Sequence, residues 1–526
     1  MKPGFRMRAF GCLIIIMVPL AAFAGGKLQH HAASIPSRYM IQLDAAIPEE
    51  AAASVMHSIA ASYHFDVVAQ WLKSRRVFVG VGLTVENATR LAHDGRIALV
   101  EEDYYVAPPT VSASTVTWWN NNYLWHLDRI DQRTDYVDPA THTMNYNWSP
   151  AADDIVVYLI DTGVHTEHEQ LTTRGINQYR FDADDSIGVT ENQTCSDAGW
   201  TGGFPPHGTW TASVVTGSTI GASTARVVSL RVASCPNVRG EYTIFASHMG
   251  QALDWIRSAG DPYSSSPAVV SMSFFKAKFG TLLSENYPLL EAAVERLASD
   301  PQRSLPIFVS ANNFGTDACQ FAPADHAYTN ASRTGWVFAV GGSSLGGCDA
   351  NGVCDLHDYR WQSWNGDGTI HLEQDQASNG GDCISIYAPA ADIFVANPPQ
   401  PAYAFQGTLT DSYYRISGTS FSAPLTAAVA ARYTKEYMNT YGGARPSATQ
   451  VYDFLLSNAT PNIVDHVATP ASWWCMSSTN GKYYGYTSNP GVCPSGFQLD
   501  GTTPIAMPAT DNTHSNAGLL YYNPAP

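Results

Sequence analysis

Three short segments of this chain hold side chains suited to acyl transfer: Ile160-Asp161-Thr162-Gly163, His207-Gly208-Thr209 and Gly418-Thr419-Ser420-Phe421-Ser422-Ala423-Pro424. That chemistry needs a hydroxyl to attack a carbonyl, an imidazole to carry the proton and a carboxylate to orient the imidazole. Asp161, His207 and Ser420 supply the three, in one of the chain orders in which such triads occur. Each taken alone has a plainer reading. Asp161 suits a turn, His207 is one of 16 histidines, and Ser420 is a good helix N-cap. Their co-occurrence, each on a turn beside an apolar run, favours chemistry.

The surrounding pattern says how they are positioned. Ile155 to Ile160, Val227 to Val232, Ala268 to Met272 and Ile307 to Val309 are short, continuous and β-branched, as strands covered on both faces are. Between them Thr209 to Val215, Ala246 to Ala259 and Leu289 to Ala298 read as helices. Alternation of this kind predicts an α/β fold, with a mostly parallel sheet covered by helices on both faces and functional groups at the carboxyl ends of its strands. Asp161 and Asn312 stand at such ends. His207 falls on a first helical turn. Ser420 opens the Ala-rich run Ala423 to Tyr433, where the helix dipole and a backbone N–H favour a developing oxyanion and Pro424 suits the first turn.

Before this region, residues 38–106 form a separate pattern. Tyr39 to Leu43 and Val77 to Val81 read as strands, Glu50 to Tyr63 and Val85 to His93 as helices, and Ile97 to Val106 closes the unit. This predicts a small α+β domain. Residues 107–117, with Pro108-Pro109 and several Ser and Thr, read as a linker.

The chain is 45% hydrophobic and 14% charged, enough to bury a large core in more than one domain. A net charge of −17 argues against binding nucleic-acid phosphates, which takes clustered Lys and Arg. Residues 1–24 combine Lys2, Arg6 and Arg8, an apolar run and Ala22-Phe23-Ala24, and read as a secretory signal peptide and not a membrane anchor. Export to the periplasm or the extracellular medium follows. Beyond Cys12 eight cysteines remain, read as up to four disulfides of open connectivity; Cys348 with Cys354 and Cys475 with Cys493 are the nearest local pairs.

On these three segments the chain resembles the subtilisin-like serine proteases (subtilases), nearest the proteinase K group. The resemblance implies a secreted serine endopeptidase acting on proteins and peptides, with no cofactor in its chemistry. It implies that residues 38–106 are a propeptide, an intramolecular inhibitor and chaperone removed by self-processing within 107–117, and that 118–526 are the catalytic domain. It adds Asn312 as oxyanion donor, preceded here by Ala311 where the family has Gly, with Asn313 a rival by one position. Substrate would pair along Arg239-Gly240-Glu241 and Ser271-Met272-Ser273 as an added strand.

This chain also departs from the family. Phe274-Phe275-Lys276 stands where the family has Leu-Gly-Gly, placing Phe275 at the primary pocket. Trp210 replaces a second His and reads as facing the helix interior, and the long spacing from Asn312 to Ser420 implies an insertion near 346–377, with another near 462–512. A structural calcium site would use Asp392 with main-chain oxygens of Gly335 and Val337. Two other classes stand against the protease reading: a catalytically silent binding protein blocked by Phe275, and an acid-active relative using Glu, Asp and Ser, against which His207 speaks.

Overall fold

Consecutive side chains of a strand point to opposite faces, so Val156 to Ile160 must meet two cores. In the computed structural model they do: Val157 and Leu159 join one buried cluster, and Val156, Tyr158 and Ile160 another. The structure describes residues 27–31, 34–71, 75–106, 112–113, 124–133, 146–183, 187–190, 206–236, 242–274, 276–277, 287–300, 304–348, 354–361, 377–398, 413–461, 464–465, 472–477, 483–486, 497–498, 505–507, 517 and 519–522. The signal segment and most of the linker lie outside these.

The central sheet has ten strands among the described residues. Its middle runs Phe338–Cys348, Ile307–Ser310, Ala268–Met272, Val156–Asp161, Arg226–Arg231 and Asn177–Arg180, all neighbours being parallel. The helices His207–Thr216 and Thr419–Thr440 join the cluster on one face, and Ala246–Trp255 and Pro288–Ser299 that on the other. This is the expected α/β architecture. One helix stops four residues short of its expected end at Ala259, because Arg257 takes a φ of 64° and gives its N–H to the Asp261 carboxylate at 2.9 Å. No helix among the described residues is long and apolar enough to cross a membrane.

The N-terminal unit is a five-stranded sheet in the order Lys27–Gln29, Ile97–Tyr104, Ser34–Leu43, Val77–Val81, Asp66–Trp71. Tyr39, Ile41, Leu43 and Phe78 pack with the helices Glu49–Tyr63 and Val85–Leu91. The alternate residues Met40, Val77 and Val79 belong instead to the core beneath the central sheet. Polar contacts line the same seam. Asp103 accepts from Arg38 Nε and Ser247 Oγ, each at 2.6 Å, and Glu101 accepts from His31 Nε2 at 2.9 Å and the Leu289 N–H at 3.2 Å. Burial raises the Glu101 pKa, with His31 opposing the rise.

Both expected insertions carry structure. Phe338–Cys348 and Cys354–Arg360 form an antiparallel pair that sets Cys348 opposite Cys354. Ser472–Ser477, Tyr483–Tyr486, Phe497–Gln498 and Ile505–Met507 form a small antiparallel sheet. A disulfide joins Cys319 to Cys383, with Cα atoms 5.1 Å apart, and Cys235 is also disulfide-bonded. Cys493 lies outside the described residues.

His126, in the helix Trp125–Ile130, is fully buried, and its Nε2 lies 3.2 Å from the Ile220 carbonyl oxygen. Burial lowers its pKa to about 4, the carbonyl partly offsetting the shift. An unfolded His takes a proton near pH 6.5. The stability from this neutral ring is therefore whole above that pH and falls as pH drops toward 4, by ~3 kcal/mol in all. Urea titrations from pH 7 to 4 are expected to show a shallower decline for His126→Leu than for the parent; parallel declines would remove His126 as the cause.

Candidate active site

Asp161 ends its strand, and the chain turns through Thr162 to Gly163, whose φ is 101°. Against this turn stands the first turn of the helix His207–Thr216. A Cβ on Gly208 would come 2.3 Å from the Gly163 carbonyl oxygen, so the approach requires glycine there. Gly208 N–H donates to Thr162 Oγ1 at 2.9 Å, fastening helix to turn. His207 Nδ1 thereby lies 2.8 Å from Asp161 Oδ1, with the carboxylate wholly buried. Thr162 N–H donates to the same oxygen at 2.7 Å and Thr211 Oγ1 to the other at 2.9 Å. Because a carboxylate only accepts, it fixes the imidazole with its proton on Nδ1, leaving Nε2 to act as base.

His207 Nε2 is buried and has no hydrogen-bond partner among the described residues. Ser420 sits in the first turn of the helix Thr419–Thr440, which packs on the His207 helix; the next residue, Phe421, places its ring 6.2 Å from the imidazole. N–H groups of a first helical turn have no partner within the helix, so the Ser420 N–H suits an oxyanion. Ser273 Oγ donates to the Ser420 carbonyl at 3.1 Å, bracing the nucleophile's backbone.

The tandem asparagines divide their work. Asn312 Nδ2 is buried without a partner among the described residues, whereas Asn313 Oδ1 accepts from both the N–H and the hydroxyl of Thr419. Asn312 therefore fits the donor role and its rival is occupied. Asn312→Leu, of similar volume, is expected to lower kcat about 10²–10³-fold with KM little changed. Steady-state kinetics on a peptide substrate would check this, and an equal loss spread into KM would reassign Asn312 to substrate binding.

Of the residues expected to meet substrate, Gly240 and Phe275 lie outside the described residues. Ser271 is inside the sheet, in register with Leu159 on one side and Phe308 on the other, and only from Ser273 has the chain left it. Phe274 is fully buried in the core. Trp210 has a larger part than packing within its helix: its ring lies 6.3 Å from that of His207 and 6.0 Å from that of Tyr414, and Nε1 donates to Asn397 Oδ1. Thr162, Thr211, Asn313 and Thr419 escape sequence reading, although Thr211 stands one helical turn after His207.

The calcium set does not fit a divalent cation as folded. Arg415 Nη1 donates to Asp392 Oδ2 at 2.8 Å, putting a guanidinium where a cation would approach, and the Val337 carbonyl accepts the Tyr328 N–H at 2.7 Å. A Cβ on Gly335 would lie 2.1 Å from the Ala327 carbonyl carbon, so that glycine is required by backbone packing. No step below runs through calcium.

The fold and this geometry have relatives. An alkaline serine exoprotease A of Vibrio alginolyticus is 26% identical over 442 residues, covering 84% of this chain and 65% of that protein's length. An extracellular serine proteinase of Thermus sp. (strain Rt41A) is 27% identical over 387 residues, 73% of this chain and 72% of the relative. In fold, the chain is similar to the crystal structure of fervidolysin from Fervidobacterium pennivorans, a keratinolytic enzyme related to subtilisin. That likeness has a TM-score of 0.55 at 17% identity, over 83% of this chain and 59% of that one. Residues 152–481, well over half of the chain and inclusive of Asp161, His207, Asn312 and Ser420, match the family model described as Subtilase family. The chain belongs to the subtilase family of subtilisin-like serine proteases.

Proposed function

We propose that this protein is a secreted serine endopeptidase that hydrolyses peptide bonds in proteins and is made as a self-processing precursor. The observation that carries the reading is the buried Asp161–His207 pair, beside a helix start bearing Ser420, with His207 Nε2 and Asn312 Nδ2 both left without protein partners. Two unsatisfied buried polar atoms are costly, and a bound substrate passing through its tetrahedral intermediate would satisfy both.

In this reading His207 Nε2 takes the Ser420 hydroxyl proton as Oγ attacks the scissile carbonyl carbon. Asp161 stabilises the imidazolium that forms. The carbonyl oxygen, now anionic, accepts from Asn312 Nδ2 and the Ser420 N–H. As the C–N bond breaks, the imidazolium returns its proton to the leaving amine, and water then enters by the same route in reverse to release the acyl group.

The precursor reading is supported by the chain on either side of 107–111. Val106 N–H donates to the Ile244 carbonyl, and Ser112–Ala113 pairs with Ser417–Ile416, three residues before the nucleophile. Cleavage within 107–117 would separate the N-terminal unit, which we assign as inhibitor and folding template; removal of residues 1–24 accompanies export. The extracellular relative accords with that location. The test is a fluorophosphonate probe applied to protein that hydrolyses casein. Loss of hydrolysis with the label mapped to Ser420 is expected; a label elsewhere, or hydrolysis that survives full labelling, would overturn the assignment. Amino-terminal sequencing of the active form checks processing, since a start at Gly25 contradicts it.

A further inference from the structure

We propose that Asn313 is a positioning residue for the hydrolysis, acting through Thr419 to set the oxyanion donor of Asn312 against the nucleophile Ser420. The inference rests on the reading of Ser420 and Asn312 given above. Its basis is a closed set of hydrogen bonds between two segments more than 100 residues apart. Asn313 Oδ1 accepts the Thr419 N–H at 2.9 Å and the Thr419 hydroxyl at 2.7 Å, and the same hydroxyl oxygen accepts the Asn312 N–H at 3.1 Å. Thr419 is fully buried and Asn313 nearly so, leaving no water to replace a lost partner.

The local backbone explains why two adjacent asparagines serve differently. Asn312 has a φ of 79°, in the left-handed region that Asn enters more readily than most residues. One such residue re-aims the chain, so one side chain is left without a protein partner while the next is bound to Thr419. From the other side, the Asn312 carbonyl accepts the Asn379 N–H at 2.8 Å, and Asn379 Oδ1 accepts from the N–H groups of Phe314 and Thr316. The Asn312–Asn313 step is thus clamped between Asn379 and Thr419. Only the Thr419 side leads directly to Ser420.

A carbonyl oxygen at Asn313 orients the Thr419 hydroxyl proton toward itself, which leaves the hydroxyl lone pairs for the Asn312 N–H. Leucine at 313 removes the acceptor for two buried donors. The Thr419 hydroxyl must then turn elsewhere, the Asn312 N–H loses its partner, and the two groups that meet the substrate oxygen lose their common anchor. Misplacement on the order of 1 Å costs ~10²-fold in turnover, while strand-like substrate pairing elsewhere keeps ground-state binding intact.

The experiment measures kcat and KM of the processed protein on a chromogenic peptide amide for Asn313→Leu, Thr419→Val, the double variant, Thr419→Ser and Ser420→Ala, with thermal denaturation of each. Asn313→Leu and Thr419→Val are expected to lower kcat roughly 10²-fold each, with KM within about threefold. Their losses should not multiply in the double variant, since both break one circuit. Thr419→Ser, which keeps the hydroxyl, should recover most of the rate. Folded Asn313→Leu with kcat within about threefold of the parent, or losses that multiply, would overturn the inference. If Asn313→Leu does not fold, Thr419→Val and Thr419→Ser with equal kcat would overturn it. An active Ser420→Ala instead removes the underlying reading, whereas a dead Ser420→Ala beside a fully active Asn313→Leu removes only this inference.

Discussion

Replacing Ser420 by Ala is expected to lower turnover on a peptide amide by about 10⁶-fold, with KM changed little. The side chain lost is small, and Ser420 is 2% exposed at the start of a helix whose first turns are buried, so the fold should persist. The residual rate would come from the oxyanion donors alone, which act on water's attack as well. Progress curves over days at high enzyme concentration, with thermal denaturation alongside, make the measurement. A loss under about tenfold in a folded variant would mean that Ser420 caps its helix and does no chemistry.

Asp161→Ala is expected to cost less, about 10⁴-fold, because a neutral His207 still removes the Ser420 proton but is neither held nor stabilised when charged. Asp161→Asn separates those two contributions. Thr162 N–H and the His207 Nδ1 proton both demand an acceptor at one oxygen position, while Thr211 Oγ1 at the other lies 3.2 Å from the carbonyls of His207 and Gly208. Thr211 can therefore turn its proton to either carbonyl and accept from the new amide. The Asn oxygen then stays toward His207, keeping tautomer and aim and losing only charge. The expected order is parent, Asn, Ala, and an Asn variant slower than Ala would show the amide reversed against the imidazole.

Much of this arrangement could be read before any fold was known, for reasons particular to each element. Val77–Val81 is a run of β-branched and aromatic residues around one Gly, and its bounds match the expectation. Asn177–Arg180 escaped because Asn-Gln-Tyr-Arg has no apolar run; it pairs at the sheet edge, where Gln178 accepts from the Val164 N–H and Ser229 Oγ. Asp161, His207 and Ser420 stand out because a turn and a helix start leave local marks. What holds them does not. Thr419 adjoins Ser420, yet its partner Asn313 is 106 residues away, and only packing of the strand Ile307–Ser310 against the Ser420 helix brings them together. Arg415 at Asp392 is likewise a pairing across two strands that spacing alone does not announce.

The N-terminal sheet has a consequence for what happens after a cut. It buries one face under its own helices and gives the other, with Met40, Val77, Val79 and Tyr104, to the catalytic core. Cut loose, the unit would carry an apolar face into water, together with Glu101 and Asp103 stripped of their Leu289 and Ser247 donors. Such a fragment opens more often than one that covers itself, and each opening offers extended chain to a nearby protease. Separation would then act as a ratchet, with the departing piece consumed before it can rebind.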